Sequence, residues 1–203
     1  MSDMIDHPEA YFRKFLPDRE PLLLDLEKEA EREEIPIVGP VVGELLHVLT
    51  KASQAERILE LGTATGYSTI FLARALSSSG RLVTVENDPD MAARAKANFE
   101  KAGLVRQIDI VVGEAEDKLA EMADVFDFIF LDIDKEYYAA LLNHCHRLLK
   151  LGGLLVADNV GFRDADPFNR LIYDSSKWRS VSLYAYLPFH SPEKDGLCLA
   201  VRC

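Results

Sequence analysis

An α/β fold, with a mostly parallel seven-stranded sheet, helices on both faces and an antiparallel last strand, follows from three features of this 203-residue sequence. Five short apolar runs, 58–61, 82–85, 108–112, 126–131 and 154–157, alternate with amphipathic stretches, a rhythm that implies parallel strands joined by right-handed crossovers. The first of these runs leads directly into a glycine turn and a helix start, Leu61-Gly-Thr-Ala-Thr-Gly-Tyr67. Near the end of the chain an alternating run, 181–187, and a last run, 197–201, flank a segment, 188–196, whose length suits a loose hairpin.

In chain order, 8–16 and 18–34 carry helical patterning, the second with Asp18 as its N-cap candidate. The charge run Glu29-Ala-Glu-Arg-Glu-Glu34 reads as a solvated helix face. Ile35-Pro-Ile-Val-Gly-Pro40 breaks that helix, and Val41, Val42, Leu45, Leu46, Val48 and Leu49 restart an amphipathic stripe. These N-terminal helices are expected to cover the sheet edge and a site mouth. Tyr67, Ile70, Phe71 and Arg74 give helical spacing after the glycine turn, and 89–102 and 115–122 supply the next crossovers. The stretch 135–150 places Tyr137, Tyr138, Leu141, Leu142, Cys145, Leu148 and Leu149 on one helical face and ends at Gly152-Gly153, and 167–174 is a further helix candidate.

With 48% hydrophobic and 28% charged residues, the chain can build one sizeable core and is short for two domains. One domain over 1–203 is expected, with 1–50 as N-terminal helices and 57–203 as the α/β core. A net charge of −11 and a pI near 4.9 provide no basic field for phosphates, which disfavours a nucleic-acid partner. Cys145, Cys198 and Cys203 are odd in number and lack metal spacing, as reduced thiols of a cytoplasmic protein would. The first residues show no basic and apolar leader, and no stretch has the length of a membrane span, so no membrane partner is expected.

In an open parallel sheet, ligands bind beyond the carboxyl ends of the strands. The glycine turn lacks the G-x-G-x-x-G pattern, with Ala64 and Tyr67 at the second and third glycine positions, which weakens a nicotinamide reading. Glu60 before the turn and Glu86 at the end of the next strand suit a nucleoside with a ribose diol and a charged amino-acid tail, as in S-adenosylmethionine. The fourth and fifth apolar runs deliver Asp132, followed by Asp134 and Lys135, and then Asp158 with Asn159. If those strands are neighbours, Asp132 and Asp158 end about 5 Å apart, and with the neutral oxygen of Asn159 they make a hard-oxygen set that suits Mg²⁺, Mn²⁺ or Ca²⁺ rather than zinc. Either carboxylate alone reads better as a cap of the following turn or helix, and the combination of Asp132, Lys135, Asp158 and Asn159 reads as a site.

The series Leu-Glu-Leu-Gly62, Glu86, Gly113-Glu-Ala-Glu-Asp117, Phe-Leu-Asp-Ile-Asp-Lys135, Gly-Gly153 and Ala-Asp-Asn159 resembles the metal-dependent O-methyltransferases of the catechol and caffeoyl-CoA type, from about residue 35 onward. Its most specific parts are the run from Asp132 to Tyr138 and the pair Asp158-Asn159. The resemblance implies a Rossmann-like class I methyltransferase fold, S-adenosylmethionine and a divalent cation as cofactors, and a small hydroxylated, catechol-like acceptor. It implies that Asp132, Asp158 and Asn159 hold the cation, that Lys135 is the base, and that Asp132 also borders the cofactor. By the same likeness Glu60, Gly62, Thr63 and Ser68 surround the methionine part, Glu86 the ribose, and Gly113, Glu114 and Ala115 the adenine, with Val38 covering it. Ile133 stands where the family usually has Ala, and Val160-Gly-Phe-Arg-Asp164 replaces the family's Leu-aromatic-x-Gly run in a segment shorter than usual. That region shapes the acceptor pocket, where Tyr138, Phe162, Trp178 and His190 are candidate walls, although each taken singly reads better as an ordinary core or loop residue. Two further readings remain open: a tRNA 5-hydroxyuridine methyltransferase, whose relatives share a segment like Ile35-Pro-Ile37, and a cofactor-binding protein without turnover. A homodimer is a candidate assembly.

Overall fold

A computed structural model of the chain describes residues 3–174 and 176–203. Seven strands, β1 (Arg57–Leu61), β2 (Arg81–Glu86), β3 (Ile108–Val112), β4 (Phe126–Leu131), β5 (Leu149–Ala157), β6 (Trp178–Tyr186) and β7 (Lys194–Arg202), form one sheet in the order β3-β2-β1-β4-β5-β7-β6. All neighbours among β1 to β5 pair in parallel, while β7 is antiparallel to both β5 and β6. The sheet is Rossmann-like, with strand order reversing direction between β1 and β4, the point at which such sheets open a binding crevice.

The helices are α1 (Pro8–Phe12), α2 (Pro21–Glu33), α3 (Gly39–Ala52), α4 (Tyr67–Ala75), α5 (Pro89–Ala102), α6 (Ala115–Glu121), α7 (Tyr138–Leu148) and α8 (Asp166–Asp174). Because side chains alternate across a strand, each apolar strand feeds two cores at once. Ile58, Leu82, Phe128, Phe130 and Val156 pack on one face against Leu26, Val42, Leu46, Ile70 and Phe99. Leu59, Leu61, Ile129, Leu131, Leu155 and Ala157 face the other way, against Tyr138, Leu141, Cys145, Leu148 and Phe168.

Several boundaries differ from the sequence expectation. The second helix starts at Pro21 rather than 18, so Glu20 and not Asp18 occupies the N-cap position, and proline at the first helical position fixes φ and needs no N–H partner. Leu23 and Leu26 of this helix, and Val42 and Leu46 of α3, join the core on a sheet face, so these helices cover a face rather than the edge. The charge run is only partly a solvated face, because Glu29 and Glu33 both pair with Arg94 of α5. Residues 135–150 are not one helix: Lys135–Tyr137 is a 3₁₀ turn, α7 ends at Leu148, and Leu149 is already in β5. The apolar pattern continued through the helix–strand junction because Leu148 and Leu149 are both buried, one from each element.

Candidate active site

The glycine turn is built by close approach. Gly62, at φ +96°, lies so near β4 that a Cβ there would sit 1.9 Å from the carbonyl oxygen of Asp132. Gly66, at φ +86°, starts α4 in the left-handed conformation with the ring of Phe99 in the space a side chain would need. Glu86 closes the turn from β2: one of its oxygens accepts from the backbone N–H groups of Thr63 (3.0 Å) and Ala64 (2.8 Å), and the other from Asp88 (3.0 Å). The result is a cleft of about 280 Å³. Val38, Gly62, Thr63, Ser68 and Glu86 line it, as do Gly113, Glu114 and Ala115 on one side and Asp132 and Lys135 on the other.

Glu60 does not line the cleft. It is fully buried beneath the turn, where Ser68 (2.7 Å), Thr69 (2.5 Å) and Thr84 (2.7 Å) donate hydroxyl hydrogens to its carboxylate. Burial pushes its pKa up to about 7 despite those three donors. Its side chain points to the face opposite to those of Leu59 and Leu61, and the turn lies over it. The expectation that it touches the methionine part is therefore corrected: Glu60 supports Ser68 from behind.

At the ends of β4 and β5 the register Leu131 with Ala157 sets Asp132 and Asp158 side by side. The hydroxyl of the fully buried Tyr138 donates to the carbonyls of Leu131 and Asp158, 3.1 Å each, and fastens the two strand ends together. Lys135 Nζ lies 3.2 Å from Asp132 Oδ1, with about a fifth of the Lys135 side chain exposed. Burial and then the charge of Asp158 push Asp132 up to about 6, against the opposing pull of Lys135. Asp158 is buried and faces His190, whose Nε2 lies 3.0 and 2.8 Å from its two oxygens. Burial disfavours the charged imidazole, but the hydrogen bond and charge of Asp158 outweigh it and raise the His190 pKa. Asn159, at φ +51°, donates through Nδ2 to Asp195 Oδ2 (2.6 Å) and to the carbonyl of Ser191 (3.2 Å).

These groups fit a hard divalent cation by their chemistry. The two carboxylates stand on adjacent strand ends, close enough for the charge of Asp158 to act on Asp132, and with both hydrogens of Asn159 Nδ2 engaged its Oδ1 is left as an acceptor. No three His, Cys, Asp or Glu side chains among the described residues are grouped to hold a metal, so a cation here would rest on the mixed set of two carboxylates and one amide.

A family model described as O-methyltransferase matches residues 17–165. The chain belongs to this O-methyltransferase family. It is similar to a catechol O-methyltransferase of Niastella koreensis, 47% identical over 61% of this chain, and spans 58% of that relative's length. It is also similar to one of Mycobacterium tuberculosis, 37% identical over 75% of this chain and 70% of the other. Among solved structures, an O-methyltransferase from Bacillus cereus in complex with SAH superposes with a TM-score of 0.85 at 31% identity, covering 97% of each chain. The O-methyltransferase TomG of Streptomyces achromogenes, in complex with SAM, gives 0.86 at 28% identity over 98% of this chain and 99% of that one.

Most of the residues chosen from the sequence, from Val38 and Gly62 to Asp132 and Lys135, line this cleft. Three of the four proposed acceptor walls do not serve as expected. Tyr138 is internal, Trp178 packs edge-on against His146 at the end of the sheet where it pairs with Arg202, away from Ala157 and Cys198, and His190 is buried behind Asp158; Phe162 is half exposed beside the site. Sequence reading missed Asp195 and the role of His190. Both lie past residue 165, where the family match ends, and the only signal was the Asp195-Gly196 pair at the start of β7.

Proposed function

We propose that this protein transfers the methyl group of S-adenosylmethionine to a hydroxyl of a small catechol-like acceptor with the aid of a divalent cation. The observation that carries the reading is the junction of the glycine-turn cleft with Asp132 and Lys135, beside Asp158 and Asn159 on the adjacent strand. The SAH and SAM complexes of the B. cereus and TomG structures support the cofactor, and the catechol O-methyltransferase relatives support the acceptor.

In this reading Glu86 accepts from the ribose hydroxyls with lone pairs left over from its backbone bonds, and Gly113, Glu114 and Ala115 border the adenine. Val38 closes the cleft from the N-terminal side. Asp132, Asp158 and Asn159 hold the cation, which when bound supplies a Lewis acid that lowers the pKa of an acceptor hydroxyl. Lys135 Nζ, at the cleft wall, would take the hydroxyl proton as the neutral amine, after giving its own third proton to solvent. The remaining rate enhancement comes from holding acceptor oxygen and methyl carbon in line inside a walled cleft. The free cysteines, two of them buried, are consistent with a reducing cytoplasm.

Turnover of S-adenosylmethionine with a panel of catechols and with total tRNA, each with Mg²⁺ and with EDTA, tests the reading. Methylated catechol that vanishes in EDTA is expected. Methylation of tRNA alone would move the substrate to 5-hydroxyuridine, and full catechol activity in EDTA would remove the cation from the mechanism.

A further inference from the structure

The hairpin joining β6 and β7 lies beyond the residues that the family match covers, yet it makes the contacts that orient two of the three proposed cation ligands. His190 is 4% exposed, and its Nδ1 lies 2.6 Å from the carbonyl oxygen of Pro192, which can only accept. The ring is thus flanked by two acceptors, the Pro192 carbonyl and the Asp158 carboxylate, so both its nitrogens carry hydrogens and Nε2 donates to the oxygens of Asp158. Asp195, 2% exposed, is fixed by backbone N–H groups of Gly161 (3.1 Å) and Gly196 (2.6 Å) on one oxygen. Its other oxygen takes a hydrogen of Asn159 Nδ2. An Asn amide can flip, and with Asp195 and the Ser191 carbonyl both acceptors, only the orientation with Nδ2 toward the hairpin satisfies them. Oδ1 is thereby turned the other way. The backbone leaves no slack, since a Cβ at Gly161 would stand 2.5 Å from Asp195 Oδ1.

We propose that His190 and Asp195 are positioning residues, an outer clamp that presents Asp158 and Asn159 to a divalent cation as oxygen ligands. The inference rests on the cation reading above and adds to it residues that no comparison assigns. Outer partners of this kind hold ligand orientation, and their loss typically costs about 10- to 100-fold in metal affinity.

The test is Mn²⁺ binding, followed by the electron paramagnetic resonance signal of free Mn²⁺, on the full chain without acceptor, alongside calorimetric binding of S-adenosylhomocysteine. His190→Leu removes the donor to Asp158, and Asp195→Asn must turn an NH₂ toward either Asn159 or the two glycine N–H groups. Each should weaken Mn²⁺ binding by about 10- to 100-fold. His190→Gln, which keeps a donor for Asp158, should recover most of the loss. S-adenosylhomocysteine affinity should stay within about twofold in all three, because neither residue lines the cleft. Unchanged Mn²⁺ affinity in His190→Leu and Asp195→Asn would overturn the proposal alone. A parallel loss of S-adenosylhomocysteine binding would do the same, by showing general damage to the strand ends. Nitrogen hyperfine coupling from histidine on bound Mn²⁺ would make His190 a ligand and also overturn it. Failure of the wild-type chain to bind Mn²⁺ or Mg²⁺ would instead remove the cation reading itself.

Discussion

Replacing Glu60 by Gln should flatten the pH dependence of stability between pH 5 and 8. Glu60 is fully buried and its pKa rises from 4.5 to about 7 on folding. At about 1.4 kcal/mol per pH unit, the full cost of ionising it in the folded state is about 3 kcal/mol. The folded pKa lies above the unfolded one, so the folded chain holds the proton across the window between them. The stability tied to this group is therefore fully present below pH 4.5 and is lost as pH rises through about 7. Integrated from pH 5 to pH 8, the loss is about 2.5 kcal/mol. Gln is neutral throughout, and its carbonyl can still accept from two of the three hydroxyls while the third rotates to accept from its NH₂. Urea denaturation of wild type and variant at several pH values, without cofactor, reads the effect as the difference between the two stability curves. That difference should shift in favour of the variant by about 2.5 kcal/mol from pH 5 to pH 8. Parallel curves would show that Glu60 ionises with an ordinary pKa and that the burial argument fails.

Gly62→Ala should destabilise the fold by roughly 2–4 kcal/mol and abolish S-adenosylhomocysteine binding, because the new methyl meets the Asp132 carbonyl at 1.9 Å from a left-handed backbone; urea midpoints and calorimetry measure both. Lys135→Ala should lower kcat on a confirmed acceptor by roughly 10²-fold or more, with S-adenosylhomocysteine affinity nearly unchanged. A variant with wild-type kcat would return Lys135 to a simple partner of Asp132. Native alkylation with iodoacetamide at pH 8 should label Cys203 alone, since burial pushes Cys145 up to about 12 and Cys198 up to about 11; mass spectrometry should show one adduct native and three after denaturation.

The sequence alone determined the α/β architecture, since apolar runs of strand length alternating with amphipathic helices leave few other ways to bury both faces of a sheet. It also determined most of the cleft. Gly62, Gly113, Glu86 and Asp132 stand at or just past strand ends, as does Asp158 beside the cleft, and polar residues placed there must emerge at the carboxyl ends of a parallel sheet. Boundaries were less legible where a buried position serves helix and strand alike, as at Leu148 and Leu149, or where a proline decides the helix start, as at Pro21. What only the tertiary structure decided is which way the polar side chains turn and what stands behind them. Local spacing put Glu60 next to the glycine turn but could not show Ser68, Thr69 and Thr84 folding over it and sealing it from the cleft. Nor could it bring His190 and Asp195 against Asp158 and Asn159, more than thirty residues earlier, because that contact requires β7 to run antiparallel beside β5. Pairing between strands so far apart in sequence depends on the packing of the whole sheet, and no short window of residues encodes it.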